Sequence, residues 1–380
     1  MNARDALIRL NMIRGLGAAT IHRLLEAFGS AEAVFRLDPE QLKLLWGRYA
    51  TQEVLAEIRE AADGKALAQE LRWAEKEKVR IVTLLDSDYP ELLKQIHSPP
   101  PVLYLRGTLI PTDAAAVAIV GTRSATPYGL AQARRFGEDL VRCGITVVSG
   151  LAEGIDAAGH EGALSAGGRT IAVVGHGLST IFPSRHRPLA ERVAQSGCLL
   201  SEFPMGMPPN KENFPRRNRV ISGLSLGVLV VEAPVRSGAL ITAREAMEQG
   251  REVFAVPGPV SSRQSQGTHE LIKDGAKLVC EVQDILEELA PQLREMIRPS
   301  TDSVRPELAE GRTEETQFPF GLSDEESEVF EAVPVGNGTS LDEIARDTTL
   351  QPARLMSLLT SLELKGLVKQ EPGRGFSRPS

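Results

Sequence analysis

Between Lys211 and Arg219 the chain sets four cations within nine residues, Lys211, Arg216, Arg217 and Arg219, interleaved with Phe214, Asn213 and Asn218. Cations at this density neutralise phosphates and release their counterions, and an aromatic ring among them offers a face on which a base can stack. A solvated helix face would also account for a run of charge. The neighbourhood is basic as well: from Arg185 through Arg219 there are 7 bases and 3 acids. The segment Pro208–Arg219, rich in Pro and Asn, reads as a loop running into a helix.

Three further segments combine small residues with hydrogen-bond donors. Gly121, Thr122 and Arg123 directly follow an apolar run that ends at Val120. There a glycine permits close backbone approach, a hydroxyl can donate and a guanidinium offers a forked cation. Ser149 and Gly150 begin a second segment that passes through Gly154 to Asp156, where glycines would bare helix N-terminal amides to an anion. Asp156 reads as a cap. The third, Gly175-His176-Gly177, leads to Arg185 and Arg187. His176 has no partnered nucleophile or carboxylate nearby in sequence, so it reads as a structural or simple polar residue and not as an acid-base catalyst. No G-x-G-x-x-G lies in the first strand-to-helix turn and no G-x-x-x-x-G-K-[ST] stretch occurs, so neither a nicotinamide cofactor nor Walker-type ATP hydrolysis is supported.

These segments need a scaffold that brings them to one edge. Short apolar runs at Val117–Val120, Ile145–Ser149, Thr170–Val174, Cys198–Phe203, Val228–Val231 and Val253–Val256 alternate with helical patterns at Tyr128–Cys143, Ile155–Ala166, His186–Ser196 and Ala239–Gln249. Strands apolar on both faces that alternate with helices predict an α/β fold, a Rossmann-like, doubly wound and mostly parallel sheet. In that fold ligands meet the loops at the carboxyl ends of the strands. Residues 1–80 read as a small helical domain in which Gly15-Leu16-Gly17 joins two short helices, a pattern similar to a helix-hairpin-helix module. Residues 81–288 form the core, entered through Ile81–Leu85 and the proline-rich stretch Ser98–Pro101. Residues 289–321 read as an acidic linker. In 322–380, helical patterns at Asp324–Ala332, Leu341–Asp347 and Pro352–Lys365, a Gly366–Val368 strand and a Gly373–Gly375 turn resemble a winged-helix module. Only Arg354 and Lys365 make its third helix basic.

The 380 residues carry a formal net charge of −7, which by itself argues against a nucleic-acid partner. The acidity is local, however: Glu281–Ala332 holds 15 acids against 4 bases, whereas Leu105–Gly275 has 18 bases against 15 acids. Cys143, Cys198 and Cys280 have no paired spacing, so no disulfide framework or cysteine-based metal site is expected. The absence of a long apolar run predicts no membrane span and a cytoplasmic location.

Together the motifs resemble the DprA/Smf family of bacterial DNA-processing proteins of natural transformation. The matching stretches are VAIVGTRSATPYG from Val117, SGLAEGIDAAGH from Ser149, SEFP from Ser201, NFPRRNRVIS from Asn213, SGALITAR from Ser237 and FAVPG from Phe254, in order from about Asp86 to Cys280. The resemblance implies a core that binds single-stranded DNA, forms a homodimer and helps load the RecA recombinase. By motif position Arg123 and Lys211 are the main phosphate contacts and Phe214 belongs to a base-accepting pocket, with Arg185, Arg217 and Arg219 secondary. Its dimer contact would lie near Gly267–Leu278 and its RecA contact near Ala239–Gln249. The full candidate DNA-binding set is Gly121, Thr122, Arg123, Ser149, Gly150, Gly154, Gly175, Gly177, Arg185, Lys211, Phe214, Arg216, Arg217, Asn218 and Arg219. No catalytic residue, metal or cofactor is expected. The competing reading is a nucleotide-binding enzyme of the phosphoribohydrolase type, which would want a Pro-Gly-Gly-x-Gly-Thr run; the corresponding stretch here is Val235–Thr242.

Overall fold

Two antiparallel strands, Val79–Thr83 (β1) and Val102–Gly107 (β2), lead into the sheet. The proline-rich stretch between them, read from sequence as an entry segment, is their connection, and the hydroxyl of Tyr89 pins it by donating to the carbonyl of Pro100 at 2.8 Å. The predicted strands follow as Ala116–Val120 (β3), Thr146–Ser149 (β4), Thr170–Val173 (β5), Cys198–Ser201 (β6), Gly227–Val230 (β7) and Glu252–Ala255 (β8). A two-residue strand, Lys277–Leu278 (β9), closes the sheet. The computed structural model describes residues 1–37, 41–43, 51–297, 324–335, 338–348, 350, 352–364, 367–371 and 375–378.

Among the described residues the order is β1-β2-β6-β5-β4-β3-β7-β8-β9, with β3 through β9 mutually parallel where they pair. The chain moves outward from β3 through β4, β5 and β6, then returns to place β7 on the other flank of β3. This is the doubly wound topology, and its switch point lies at β3, where connections diverge and leave a crevice. Burial follows the period-2 alternation of strands. Leu103, Leu105, Ile171 and Val173 enter one hydrophobic cluster, whereas Val102, Tyr104, Ala172 and Val174 enter the other. Each face is therefore covered.

The helices Ala3–Met12, Ala18–Phe28, Ala31–Arg36, Gln52–Ala61 and Lys65–Lys76 pack their apolar stripes into the second of these clusters, together with Leu189 and Val193 of helix Arg187–Ser196. They belong with the sheet to one compact unit, residues 1–288. On the sheet, helices Pro127–Arg142 and Ile155–Ser165 cross at glycines. A methyl group on Gly162 would stand 2.2 Å from the Arg134 carbonyl oxygen, and one on Gly137 would stand 2.5 Å from that of Gly159. Backbone-to-backbone contact at this crossing fixes the spacing of the two loops that precede these helices.

Residues 289–380 form the second unit. Helix Val282–Ile297 runs into the stretch read as linker, whose remainder, 298–321, lies outside the described residues. Beyond it, helices Asp324–Ala332, Leu341–Asp347 and Pro352–Leu364 surround Val329, Ile344, Leu359 and Leu362. Ser340 and Glu343 form a reciprocal capping box at the start of the second. The hairpin strands are Lys369–Glu371 (β10) and Gly375–Ser377 (β11), the first beginning just past the apolar pair Leu367-Val368, which is buried in the core. Of the expected turn, Gly373 and Arg374 lie outside the described residues.

Candidate nucleic-acid interface

The carboxyl ends of β3, β4 and β5 carry the three glycine segments to one edge of the sheet. The loop after β3 is held from below by Glu232, itself 2% exposed: its main-chain carbonyl accepts from the Thr122 amide at 2.7 Å, and its carboxylate accepts from both the amide (2.9 Å) and the hydroxyl (2.5 Å) of Thr126. Thr126 in turn caps helix Pro127–Arg142. The loop after β4 rises through Leu151, a non-glycine in the left-handed region at φ 57°, and through Gly154 at φ 80°. A methyl group on Gly154 would lie 2.4 Å from the Thr122 carbonyl oxygen, so these two loops are stacked backbone against backbone. Asp156 accepts from the Ala152 amide at 3.4 Å and thereby closes the second loop on itself.

The fourth basic segment departs from its expected loop: residues from Asn213 are helical, over Asn213–Gly223. Pro215 falls in the first turn, where a missing N–H leaves no hydrogen bond broken. Helical periodicity then turns Asn213, Arg217, Val220 and Ile221 inward together. Arg217, 5% exposed, donates at 2.7 Å to the Gly150 carbonyl and also to that of Val173, tying the ends of β4 and β5. Burial pulls its guanidinium down to about 10 while Asp156 opposes the shift; Asp156 is itself raised by burial and lowered by Arg217. Arg219 pairs with the buried Glu202 at 2.5 Å and donates to the Ser98 carbonyl. Asn218 accepts from Arg217 Nε and donates to the Gly238 carbonyl, each at 3.3 Å. Arg217, Arg219 and Asn218 thus have protein partners, a commitment invisible in a count of cations.

Above this framework lies a cavity of about 100 Å³ lined by Arg123, Gly150, Ala152, Glu153, Phe182, Pro183, Phe214 and Arg217. The Arg123 guanidinium sits 5.4 Å from the Phe214 ring centre, within cation–π range. Phe182 lies against Phe214 with centroids 6.0 Å apart and planes tilted by 32°. An edge of Phe214 rests on Gly175, where a methyl group would meet its ring at 2.9 Å. Arg185 pairs with Glu153 across the rim. Lys211 is exposed just before the helix, and Arg216 is exposed on its other side.

Other candidates serve the frame. Ser149 is fully buried and donates to the Ile119 carbonyl at 2.5 Å. Gly121 lies under Ile155 and the Glu232 carbonyl, and Gly177 faces the Pro204 and Met205 carbonyls. The site also includes residues that the sequence reading passed over: Phe182, Pro183, Glu153 and Glu232. The signal for Phe182 was its place in the basic stretch Ile181–Arg187, where only the cations drew notice. His176 is buried; the bond from Nδ1 to the Gly177 carbonyl (2.9 Å) leaves Nε2 to accept from the Phe182 amide at 3.3 Å. It positions Phe182, and burial lowers its pKa.

Glycine-backed loops, an exposed guanidinium and stacked aromatic rings at the carboxyl edge of a doubly wound sheet define an α/β protein equipped to hold a phosphate beside a planar ring. Residues 80–290 match the family described as DNA recombination-mediator protein A, and residues 313–374 match the DprA winged helix domain. Protein Smf of Synechocystis is 36% identical over 388 residues, covering 97% of each chain. An X-ray structure of DNA processing protein A from Streptococcus pneumoniae aligns with a TM-score of 0.65 at 36% identity, over 76% of this chain and 98% of that one. The Helicobacter pylori DNA processing protein A, whose structure is described by its single-stranded DNA binding mode, aligns with a TM-score of 0.51 at 31% identity, over 56% of this chain and 97% of that one. This chain belongs to the DprA/Smf family, whose work is DNA processing in recombination. Among the described residues no helix is long and apolar enough to cross a membrane.

Proposed function

We propose that this protein binds single-stranded DNA at the carboxyl edge of β3, β4 and β5, protects incoming strands and helps load RecA recombinase onto them as a homodimer. The observation that carries the reading is the stack of Arg123 on Phe214 and Phe214 on Phe182 over the glycine loops. A phosphate would rest against Arg123 and the loop amides, with Lys211 as a second cation, while a base turns onto the exposed Phe182 ring and the half-buried Phe214. Ring faces accept every base, so binding is sequence-tolerant. Arg217, Arg219, Asn218, Ser149, Gly121 and Gly177 act from beneath by holding the loops in place. For the homodimer, the open sheet edge at β9 and the exposed side chain of Leu278 favour a contact through Gly267–Leu278, and the exposed Ile241 and Met247 make Ala239–Gln249 the candidate RecA face. Two linked sites would raise avidity on one strand.

Fluorescence anisotropy with a labelled oligonucleotide, challenged by single- and double-stranded competitors across salt concentrations, tests the reading. Single strands are expected to compete better than duplex, and Arg123→Ala or Lys211→Ala each to weaken binding and reduce the salt slope by about 1. Equal binding by wild type and both variants would sink it.

A further inference from the structure

The carboxyl edge of the sheet continues past β3 onto its other flank, where β7 and β8 end. The loops that leave β3, β7 and β8 there include residues 121–126, 233–237 and 257–265, all within one compact unit. They are fastened to one another. The Gln264 side-chain amide donates to the Ser124 carbonyl at 2.8 Å, the Ala233 amide donates to the Gln264 carbonyl at 2.7 Å, and the Tyr128 hydroxyl donates to the Pro257 carbonyl at 2.8 Å. Consecutive residues of the β3 loop thus serve both flanks: Arg123 lies on Phe214, and Ser124 is bonded to the loop after β8.

Charge on this flank is of one sign. The three segments hold Arg123, Arg236 and Arg263 and not one Asp or Glu. The adjoining acid, Glu232, is buried and committed to Thr126. Arg236 and Arg263 are exposed, and among the described residues neither has a hydrogen-bond or ion-pair partner. Arg217 and Arg219, which brace the fold, are fastened to carbonyls and a carboxylate, and Arg185 on the first flank is paired with Glu153. The same edge bares apolar surface. Tyr128, although held through its hydroxyl, is 41% exposed, and Val260 is 90% exposed on a loop stiffened by Pro257 and Pro259. Free guanidiniums around an exposed aromatic ring, with no acid among them, suit a single strand, whose phosphates take the cations and whose bases stack on the ring whatever their identity.

We propose that this flank is a second stretch of the single-strand track: Arg236 and Arg263 hold backbone phosphates and the Tyr128 ring stacks a base, taking up the nucleotides that leave the Arg123–Phe214 subsite. The proposal rests on the reading of that first site and extends it across the switch point of the sheet. Adjacent strands lie about 4.8 Å apart, so the loop after β8 leaves the sheet about 10 Å from the loop after β3. A stacked DNA strand carries one phosphate per about 3.4 Å, so about three nucleotides cover that distance. Strand length is therefore the variable that separates the two stretches. A strand confined to the Phe214 stack meets Arg123 alone, and a longer one meets Arg236 and Arg263 as well.

The test is a length series of labelled dT oligonucleotides measured by anisotropy on the full chain at several salt concentrations. Wild type is compared with Arg123→Ala, with Arg236→Ala and Arg263→Ala combined, with Tyr128→Ala and Tyr128→Phe, and with Arg192→Ala, which removes an exposed cation from helix Arg187–Ser196. Thermal unfolding of each variant confirms that it is folded. Arg123→Ala should lose affinity at every length. The arginine pair should match wild type on the shortest strands and fall about tenfold behind on longer ones, with a salt slope lower by about 2. Tyr128→Ala should weaken the longer strands in the same way, and Tyr128→Phe, which keeps the ring, should restore most of the loss. If the pair matches wild type at every length while Arg123→Ala is impaired, the second stretch is overturned, the first site stands, and the exposed apolar tips belong to a protein-docking face. An equal loss from Arg192→Ala would trace the effect to the general field of the molecule and overturn the contacts. A loss by the pair that is the same at every length would place both arginines in the first subsite and overturn the track. No loss in any variant, Arg123→Ala included, would overturn both sites together.

Discussion

Arg217 and Arg123 line one cavity, yet the first is 5% exposed and donates to two main-chain carbonyls while the second is exposed above Phe214. Removing this buried cation takes from Asp156 the larger of its two favourable charges, the other being Arg123, and from two carbonyls a donor, a loss of about 3–5 kcal/mol for a buried charge whose partner is deleted. Arg217→Ala is therefore expected to lower the urea midpoint sharply, whereas Arg123→Ala should stay within about 0.5 kcal/mol of wild type. Comparable stability of the two variants would show that Arg217 is not a structural brace. That division of labour was half legible in the sequence. Arg217 stands three and four residues before Val220 and Ile221, the spacing that puts it on their inward face, but Pro215 and the density of charge read as loop and hid the helical period. Gly154 was legible as a residue that bares helix N-terminal amides and Gly175 as a neighbour of His176, but neither as a close-approach position, because the carbonyl and the ring they face come from distant segments.

At the scale of elements, the strands β3 to β8 could be read from their apolar runs because both of their faces are buried. The antiparallel pair β1 and β2 was harder, since the prolines between them signal an extended chain without saying that it pairs. The loops depend on how helices Pro127–Arg142 and Ile155–Ser165 cross. A methyl group at Gly162, 2.2 Å from a backbone oxygen, must push them apart. Gly162→Ala should lose about 1–3 kcal/mol of stability by overpacking and weaken strand binding as well, measured by urea titration and anisotropy on the same preparation. The Ile155–Ser165 helix also carries His160, fully buried against Thr170 at 2.7 Å. The Thr170 hydroxyl donates to the Val147 carbonyl, so His160 Nδ1 must carry the proton it shares with Thr170, and Nε2 is left unpaired. Burial pulls the ring down to about 3 from an ordinary 6.5. Below 6.5 the unfolded chain binds a proton that the folded one refuses, so stability is full above that pH and falls as pH drops toward 3. Between pH 7 and pH 5 the loss is about 2 kcal/mol. His160→Asn, whose side-chain amide supplies an N–H donor toward Thr170 in place of Nδ1–H, should flatten that part of the stability curve; an unchanged slope would remove His160 as its source.

For the molecule as a whole, the net charge of −7 conceals a division between a core with 18 bases against 15 acids over Leu105–Gly275 and a segment at 15 acids against 4 bases over Glu281–Ala332. The sequence disclosed this division, and the fold adds where the core cations go: into buried braces such as Arg217 and Arg219, and onto a surface holding Arg123, Lys211 and Arg216. The acidic segment is expected to repel excess nucleic acid, so Glu307→Gln, Glu310→Gln, Glu314→Gln and Glu315→Gln together should tighten duplex binding at low salt, where screening is weakest. No change in duplex affinity would show that those charges act elsewhere. The central claim is that Arg123 and Phe214 form one subsite for a phosphate and its base. A double-mutant cycle with Arg123→Ala, Phe214→Ala and the pair, read as single-strand affinity by anisotropy, tests it most directly. Each single variant should weaken binding, and the pair should lose less than the sum by at least about 0.5 kcal/mol, as contacting residues do. Two single variants that bind like wild type would contradict the account.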